Sequence, residues 1–224
     1  MTGKLTEFIA RREAAALVAV ALVAFLSAGP ATAAKVAKPS FFNSKETQST
    51  NLKPFKKWLK AVDRYTQERS KMAGSCKATK MNKCHYNVWM AFLKKLAKKD
   101  KVTKIKEVNR YINQAKYVTD KNNWGKKDYW SSPGEFFSRF GDCEDYAIAK
   151  FLSLRLLGFK SGEIRVVAVK DLNLKVGHAI MVVYLKDKPY VLDNQIKQVV
   201  AAKTIKHYQP VFSISLDTWW RHRM

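Results

Sequence analysis

Hydrophobic residues recur at spacings of three and four in three consecutive stretches of the first half of the chain. This spacing places them on one face of a helix, so we predict amphipathic helices from Leu52 through Tyr65, over 86–98 and over 102–120. Asn51 can cap the first helix, and Pro54 is tolerated in a first turn. The other faces of these helices carry the lysines.

A fourth apolar stretch, from Cys143 to Leu157, has hydrophobic residues around most of its circumference. We therefore predict a central, buried helix that ends at Gly158, preceded by a polar linker over 121–134. Four strands are predicted after it, over 164–170, 177–185, 190–194 and 211–215. Helices followed by antiparallel strands indicate an α+β fold rather than a parallel sheet.

The N-terminus has the order of a secretory signal peptide, with basic residues, the apolar stretch Ala14–Leu26 and then Ala31-Thr32-Ala33. The apolar stretch is too short for a spanning helix, although an uncleaved anchor is the alternative. We predict a signal peptide over 1–34 that is cleaved near Ala33 or Ala34, and a loose polar leader over 35–51. The mature protein is then periplasmic or secreted.

The chain of 224 residues carries 42 Lys+Arg against 18 Asp+Glu, a net charge of +24. Most of the excess lies in residues 35–130, which hold 25 basic and 7 acidic residues; residues 131–224 hold 14 and 9. Export excludes most nucleic-acid interpretations of this charge. The basic half then favours an acidic protein partner or an anionic envelope surface, with a plain solvated helix face as the competing interpretation.

The chain has three cysteines. Cys76 and Cys84 enclose seven residues between two predicted helices, a plausible disulfide loop in an oxidising compartment. That pairing would leave Cys143 alone at the start of the buried helix, where a helix N-terminus favours the thiolate. Cys143 is therefore a candidate nucleophile, and an inert buried cysteine is the alternative.

A thiolate nucleophile needs a base and a group that orients the base. His178 is the best candidate of the four histidines, because it opens an apolar strand where a histidine has no obvious packing reason; a merely structural histidine is the alternative. Asp193 ends the next strand, beyond the turn Lys186–Pro189. A two-residue loop would place Asp193 opposite Ile180, on the His178 face and within side-chain reach of it, whereas a four-residue loop would keep the shared face but put the two residues further apart.

The stretch around Cys143 resembles the bacterial transglutaminase-like cysteine proteinases, a family that includes periplasmic adhesin-releasing proteases. The likeness covers roughly residues 124–219. The motifs that carry it are GDCEDYAIAK over 141–150, Tyr129-Trp130, Pro133, Leu154-Arg155, Leu157-Gly158, Arg165, His178-Ala179 and Leu192-Asp193-Asn194.

The resemblance implies a papain-like α+β fold in one domain over 52–224, with a basic helical part over 52–123 and a catalytic part over 124–219. It implies an enzyme, a cysteine endopeptidase, with Cys143 as nucleophile, His178 as general base and Asp193 as the orienting residue. It also implies calcium near the active site, a surface adhesin as substrate, an effect on biofilm attachment and a cyclic-di-GMP-responsive inner-membrane regulator.

Three carboxylates, Asp142, Glu144 and Asp145, crowd the thiol and would raise its pKa unless a cation neutralised them. By analogy with the family they are the candidate calcium ligands. The competing interpretation is that Asp142 is an N-cap and the others complement the helix dipole. We expect one oxyanion donor in the backbone N–H of Cys143 and a second in the segment 128–137.

Two other functions compete with a peptidase. The same three residues could run transglutaminase or amidase chemistry, because an amine as well as water can resolve an acyl-enzyme. A basic envelope-binding module with an inactive site is the non-enzymatic alternative. The Cys76/Cys84 pair and the lysine-dense helices are particular to this chain, so the family's substrate and regulator do not transfer automatically.

Overall fold

The computed structural model describes residues 38–72 and 85–224. The described helices are α1 (Lys56–Met72), α2 (His85–Leu96), α3 (Lys101–Ile112), α4 (Asp120–Trp124), α5 (Pro133–Arg139) and α6 (Cys143–Leu156). The described strands are β1 (Lys45–Ser49), β2 (Ile164–Asp171), β3 (Val176–Leu185), β4 (Lys188–Leu192), β5 (Val200–Ala201), β6 (Tyr208–Ile214) and β7 (Trp219–Arg223). The predicted α+β class is confirmed.

The seven described strands form one antiparallel sheet in the order β1-β7-β6-β2-β3-β4-β5. Strands β2 and β3 lie near its centre, and their alternating side chains enter two different cores. Val166, Met181 and Val183 pack with the helices, whereas Val167 and Val182 pack on the other face beneath Phe41 and Tyr208. Both faces of the central strands are therefore covered.

Helix α6 is the central helix, as the apolar pattern predicted. It is buried from Asp145 to Leu154 and packs on β2 and β3. The N-terminal helices cover its other side through aromatic contacts: Trp58 meets Phe151 edge to face, and the Trp89 Nε1 donates to the Ser153 hydroxyl at 2.9 Å. The basic helices thus brace the helix that carries Cys143.

The polar leader is not loose throughout its described part. Lys45–Ser49 pairs with β7 as an edge strand, and Phe41 is buried against the sheet. No apolar alternation marks this strand, because its placement depends on distant partners such as the Glu46–Arg165 ion pair at 2.9 Å. Strand β7 was missed as well.

The third helix ends at Ile112, earlier than predicted, with Asn113 as its C-cap. The predicted linker contains α4, and α5 follows with Ser132 and Glu135 in a capping box. Within the described residues, no helix is both long and apolar enough to cross a membrane.

The β3–β4 hairpin closes with a two-residue loop, since Leu185 pairs with Lys188. Lys186 and Asp187 both have positive φ, as a tight hairpin turn requires. The shorter of the two predicted loop lengths is the one present. Its register pairs Met181 with Leu192, so the next position along places Asp193 opposite Ile180.

Candidate active site

Cys143 is the first residue of α6, and a carboxylate network fixes the turn that presents it. The Asp145 carboxylate accepts hydrogen bonds from the backbone N–H groups of Ser131 at 2.6 Å and Asp142 at 3.3 Å. Gly141 is required at this turn, because a Cβ there would lie 2.1 Å from Asp145 Oδ2. Close packing of the backbone against a buried carboxylate therefore explains the glycine at the start of Gly141-Asp142-Cys143, here called the GDC turn.

His178 and Asp193 meet at the end of the hairpin away from its turn. His178 Nε2 lies 2.9 Å from Asp193 Oδ1, and both side chains are buried. The Asp193 carboxylate also accepts from the Gln195 backbone N–H at 2.9 Å and from the Tyr208 hydroxyl at 2.7 Å. Sequence reasoning missed Tyr208, because β6 reaches the hairpin only through its pairing with β2.

The environment keeps Asp193 ionised. Burial opposes the charge, but the hydrogen bonds and charge of His178, with those of Gln195 and Tyr208, lower the pKa of Asp193 below its ordinary value. Since Nε2 of His178 faces Asp193, Nδ1 is the ring nitrogen left to face a nucleophile. This is an oriented imidazole that can accept a proton.

The Cys143 thiol lies beside β3, the strand that carries His178, and is in reach of the Ala179 backbone N–H. Its Sγ is 3.1 Å from Glu144 Oε2, to which it donates. Burial, followed by the charges of Glu144 and Asp142, raises the pKa of Cys143 well above its ordinary value, and the Ala179 N–H offsets part of the rise. Neutralising the two carboxylates would therefore favour the thiolate.

Three carboxylates, Asp120, Asp142 and Glu144, offer oxygens that all lie within 4.8 Å of one another. Burial, as the largest cause, raises the pKa of Asp120 to about 6 and that of Glu144 to about 8. The Oδ1 atoms of Asp120 and Asp142 are buried without a hydrogen-bond partner. Such oxygens fit a hard cation.

The structure differs from the predicted ligand set at one position. Asp145 points away from the cluster into the backbone of Ser131 and Asp142, and Asp120 takes its place. Asp120 lies 22 residues before Asp142 in the sequence, and the Asp120 backbone N–H donates to Asp142 Oδ2 at 3.2 Å. Only the packing of α4 against the GDC turn brings the two together.

The other predicted positions lie elsewhere. Cys76 and Cys84 fall outside the described residues, so their disulfide stays a prediction. His222 is buried in β7, with Nδ1 2.8 Å from the Ser44 hydroxyl and Nε2 2.9 Å from that of Ser213.

A thiol at the start of a buried helix, against a His–Asp pair on an antiparallel sheet, defines a papain-like cysteine peptidase fold. The sequence profile of the bacterial transglutaminase-like cysteine proteinases matches residues 63–218. The chain belongs to this family and is a transglutaminase-like cysteine peptidase.

Solved structures agree with this assignment. Calcium-bound LapG of Legionella pneumophila is 27% identical over 71% of this chain and 87% of its own, with a TM-score of 0.59. The EGTA-treated form of the same protein is 26% identical over 73% and 86%, with a TM-score of 0.60. No curated protein sequence matches the chain.

Proposed function

We propose that this protein is an exported cysteine endopeptidase in which Cys143 is the nucleophile, His178 the general base and Asp193 the residue that orients the imidazole. The observation that carries the proposal is the buried His178–Asp193 pair at 2.9 Å, next to the strand position whose N–H approaches the Cys143 thiol. This is the relation between nucleophile, base and orienting acceptor that acyl transfer requires.

The reaction follows from these positions. His178 Nδ1 takes the thiol proton, and the thiolate attacks the peptide carbonyl carbon to form a tetrahedral oxyanion. The C–N bond then breaks, and the imidazolium returns the proton to the leaving amine. Water, deprotonated by His178, hydrolyses the thioester and regenerates the Cys143 thiol. The Cys143 backbone N–H, at a helix start, stabilises the oxyanion.

Calcium is the proposed cofactor, held by Asp120, Asp142 and Glu144. The hard oxygen donors, and the two buried Oδ1 atoms that have no hydrogen-bond partner, support this choice. Bound calcium would supply positive charge that neutralises the carboxylates next to the thiol. If the Glu144 carboxylate bound calcium, it would also be less available to accept the hydrogen bond from Cys143 Sγ.

Thermal unfolding in calcium and in EGTA tests this site without reference to activity. We expect calcium at about 100 times its Kd to stabilise the wild type by about 2.7 kcal/mol. Asp120→Asn should lose most of this effect. Asp187→Asn, in the exposed β3–β4 turn, is the matched control and should keep it. An unchanged calcium response in Asp120→Asn would remove Asp120 from the site.

A surface adhesin is the proposed substrate, and its release would affect biofilm attachment under an inner-membrane, cyclic-di-GMP-responsive regulator. The signal-like N-terminus supports a periplasmic or secreted location. Exposed lysines and arginines of α1, α2 and α3 support an acidic partner or an anionic envelope surface; they are Lys56, Lys57, Lys60, Arg69, Lys94, Lys95, Lys101, Lys106 and Arg110. Cleavage that resists both salt and lysine neutralisation would count against the acidic partner.

A peptide library tests the peptidase activity. The calcium-loaded protein and Cys143→Ser are incubated with peptides from a digested bacterial proteome, and new termini are identified by mass spectrometry. We expect a defined cleavage motif for the wild type and none for the variant. Adding a primary amine separates the alternatives: amine-capped products without free acids would indicate a transglutaminase. A surface phenotype that persists in Cys143→Ser would indicate a binding module.

A further inference from the structure

Tyr117 lies beside the turn that presents Cys143, although it belongs to the loop after α3. Tyr117 forms a parallel bridge with Gly141, and the Val118 backbone N–H donates to the Gly141 carbonyl at 2.9 Å. Gly141 is two residues before Cys143. The backbone of this loop is therefore fixed to the GDC turn itself.

One face of the Tyr117 ring packs against another side chain, and the ring is partly exposed to solvent. It stacks on buried Tyr146, with centroids 6.3 Å apart and planes 24° from parallel. The Tyr146 hydroxyl in turn donates to the Ala115 carbonyl at 2.6 Å, which ties down the loop. Tyr117 is nevertheless 51% exposed. A large aromatic side chain held this way is both ordered and reachable by a substrate.

The hydroxyl of Tyr117 lies near the residue that bears the reacting thiol. Its oxygen is in hydrogen-bond reach of the Cys143 backbone N–H, and the hydroxyl is close enough to interact with the charge of a Cys143 thiolate. A phenol keeps its proton at neutral pH and is a hydrogen-bond donor there. It is therefore a second donor next to the backbone N–H that opens α6.

Four backbone amides in the segment 128–137, where the sequence suggested a second donor, already donate hydrogen bonds to carboxylates. The N–H groups of Tyr129, Ser131 and Ser132 donate to the carboxylates of Asp120, Asp145 and Glu135. The Gly134 N–H donates to Glu68 in the same way. These hydrogen bonds stabilise the scaffold and leave those amides unsuited to a developing oxyanion.

We propose that the Tyr117 hydroxyl is the second donor of the oxyanion hole, acting together with the Cys143 backbone N–H. The proposal rests on the acyl-transfer function above. As the thiolate adds to the carbonyl, the oxygen gains negative charge and accepts a hydrogen bond from the hydroxyl, whose proton stays on Tyr117. The bond is released when the carbonyl re-forms. Loss of one such donor lowers kcat by about 10²–10³ in other acyl-transfer enzymes.

Two reactions of Cys143 separate an oxyanion donor from a structural residue. Iodoacetamide alkylates the thiolate by displacement of iodide and creates no oxyanion. The aldehyde acetyl-Ala-alaninal, chosen for its small side chains, adds the thiol to form a hemithioacetal whose oxygen lies where the oxyanion would. Its Kd is measured as protection of Cys143 from iodoacetamide, followed by mass spectrometry on the tryptic peptide FGDCEDYAIAK (140–150).

For Tyr117→Phe, in calcium, we expect the aldehyde to bind about 10²-fold more weakly while the alkylation rate stays within about twofold of wild type. Tyr129→Phe is the control: its hydroxyl binds Glu135 at 2.7 Å, and both readouts should be unchanged. Equal aldehyde affinity in wild type and Tyr117→Phe overturns the proposal, as does a parallel loss of alkylation rate or a wild type that forms no adduct.

These readouts need no peptide hydrolysis. A wild type that binds the aldehyde through Tyr117 but cleaves no peptide would refute the peptidase function and leave the oxyanion donor standing.

Discussion

Replacing Tyr208 with phenylalanine removes one hydroxyl from the atoms that surround Asp193. That hydroxyl donates to Asp193 Oδ2 at 2.7 Å, whereas Oδ1 keeps its hydrogen bonds from His178 and Gln195. The ring of Tyr208 also lies 5.7 Å from that of His178, a contact that phenylalanine retains. The substitution thus isolates one hydrogen bond to a buried charge.

The magnitude follows from the burial. A hydrogen bond to a charged group contributes about 1.5–3 kcal/mol, and Asp193 is only 1% exposed, so solvent cannot replace the lost donor. We expect the free energy of unfolding to fall by about 2 kcal/mol at neutral pH. The pKa of Asp193 should also rise, since one of the causes that lower it is removed.

The rise in the pKa of Asp193 makes the stability defect of Tyr208→Phe depend on pH. An ionised Asp193 stabilises the fold at pH values above its unfolded pKa, and this contribution is lost as pH falls through its folded pKa. The stability defect of Tyr208→Phe should therefore be largest at neutral pH and shrink towards acid, because Asp193 is then protonated in both proteins. At neutral pH we expect iodoacetamide to alkylate Cys143 about tenfold more slowly, because less thiolate forms beside a poorly held imidazole.

The assay combines urea unfolding with the pH profile of Cys143 alkylation. Tyr184→Phe is the matched control, because its hydroxyl donates to the Pro39 carbonyl at 2.9 Å, outside the site. It should cost about 1 kcal/mol of stability and leave alkylation unchanged. An alkylation profile of Tyr208→Phe identical to that of Tyr184→Phe would refute the role given to Tyr208.

Three further predictions concern stability, each measured by urea unfolding. Gly141→Ala should cost about 1–3 kcal/mol because its Cβ would meet Asp145, whereas Gly177→Ala, with open space, should cost little. Burial lowers the pKa of His222 to about 4, so the wild type should lose about 2.5 kcal/mol relative to His222→Gln between pH 7 and 4.5, as the unfolded chain takes up a proton. Burial lowers the pKa of Lys150 to about 7, so the wild type should gain about 2 kcal/mol relative to Lys150→Met between pH 7 and 9. Parallel curves for wild type and variant would contradict either pH prediction.

The local pattern was sufficient for the elements whose apolar residues repeat. Helix α6 begins at Cys143 as predicted, because its hydrophobic residues surround the axis and Gly158 ends it with φ of +92°. Hairpin parity placed Asp193 on the His178 face, since side chains alternate strictly along paired strands. The unusual stretch GDCEDYAIAK was the main motif that indicated the family.

Elements without a repeating pattern could not be found this way. Strand β1 has no apolar alternation. It forms because its backbone pairs with β7 and because Glu46 forms an ion pair with Arg165. The third helix stops at Ile112 although apolar residues continue to Ala115, because the chain must turn to bring Tyr117 against Gly141.

The sequence by itself determined the fold class and singled out the thiol, the histidine and the aspartate as candidates, because each depends on short-range periodicity, hairpin parity or one contiguous motif. Only the tertiary structure decided the groups that complete the site. Asp120 replaces Asp145 among the clustered carboxylates, Tyr208 donates to Asp193, and Tyr117 pairs with Gly141, two residues before the thiol. These residues come from distant segments, and no local spacing encodes which segments packing will bring together.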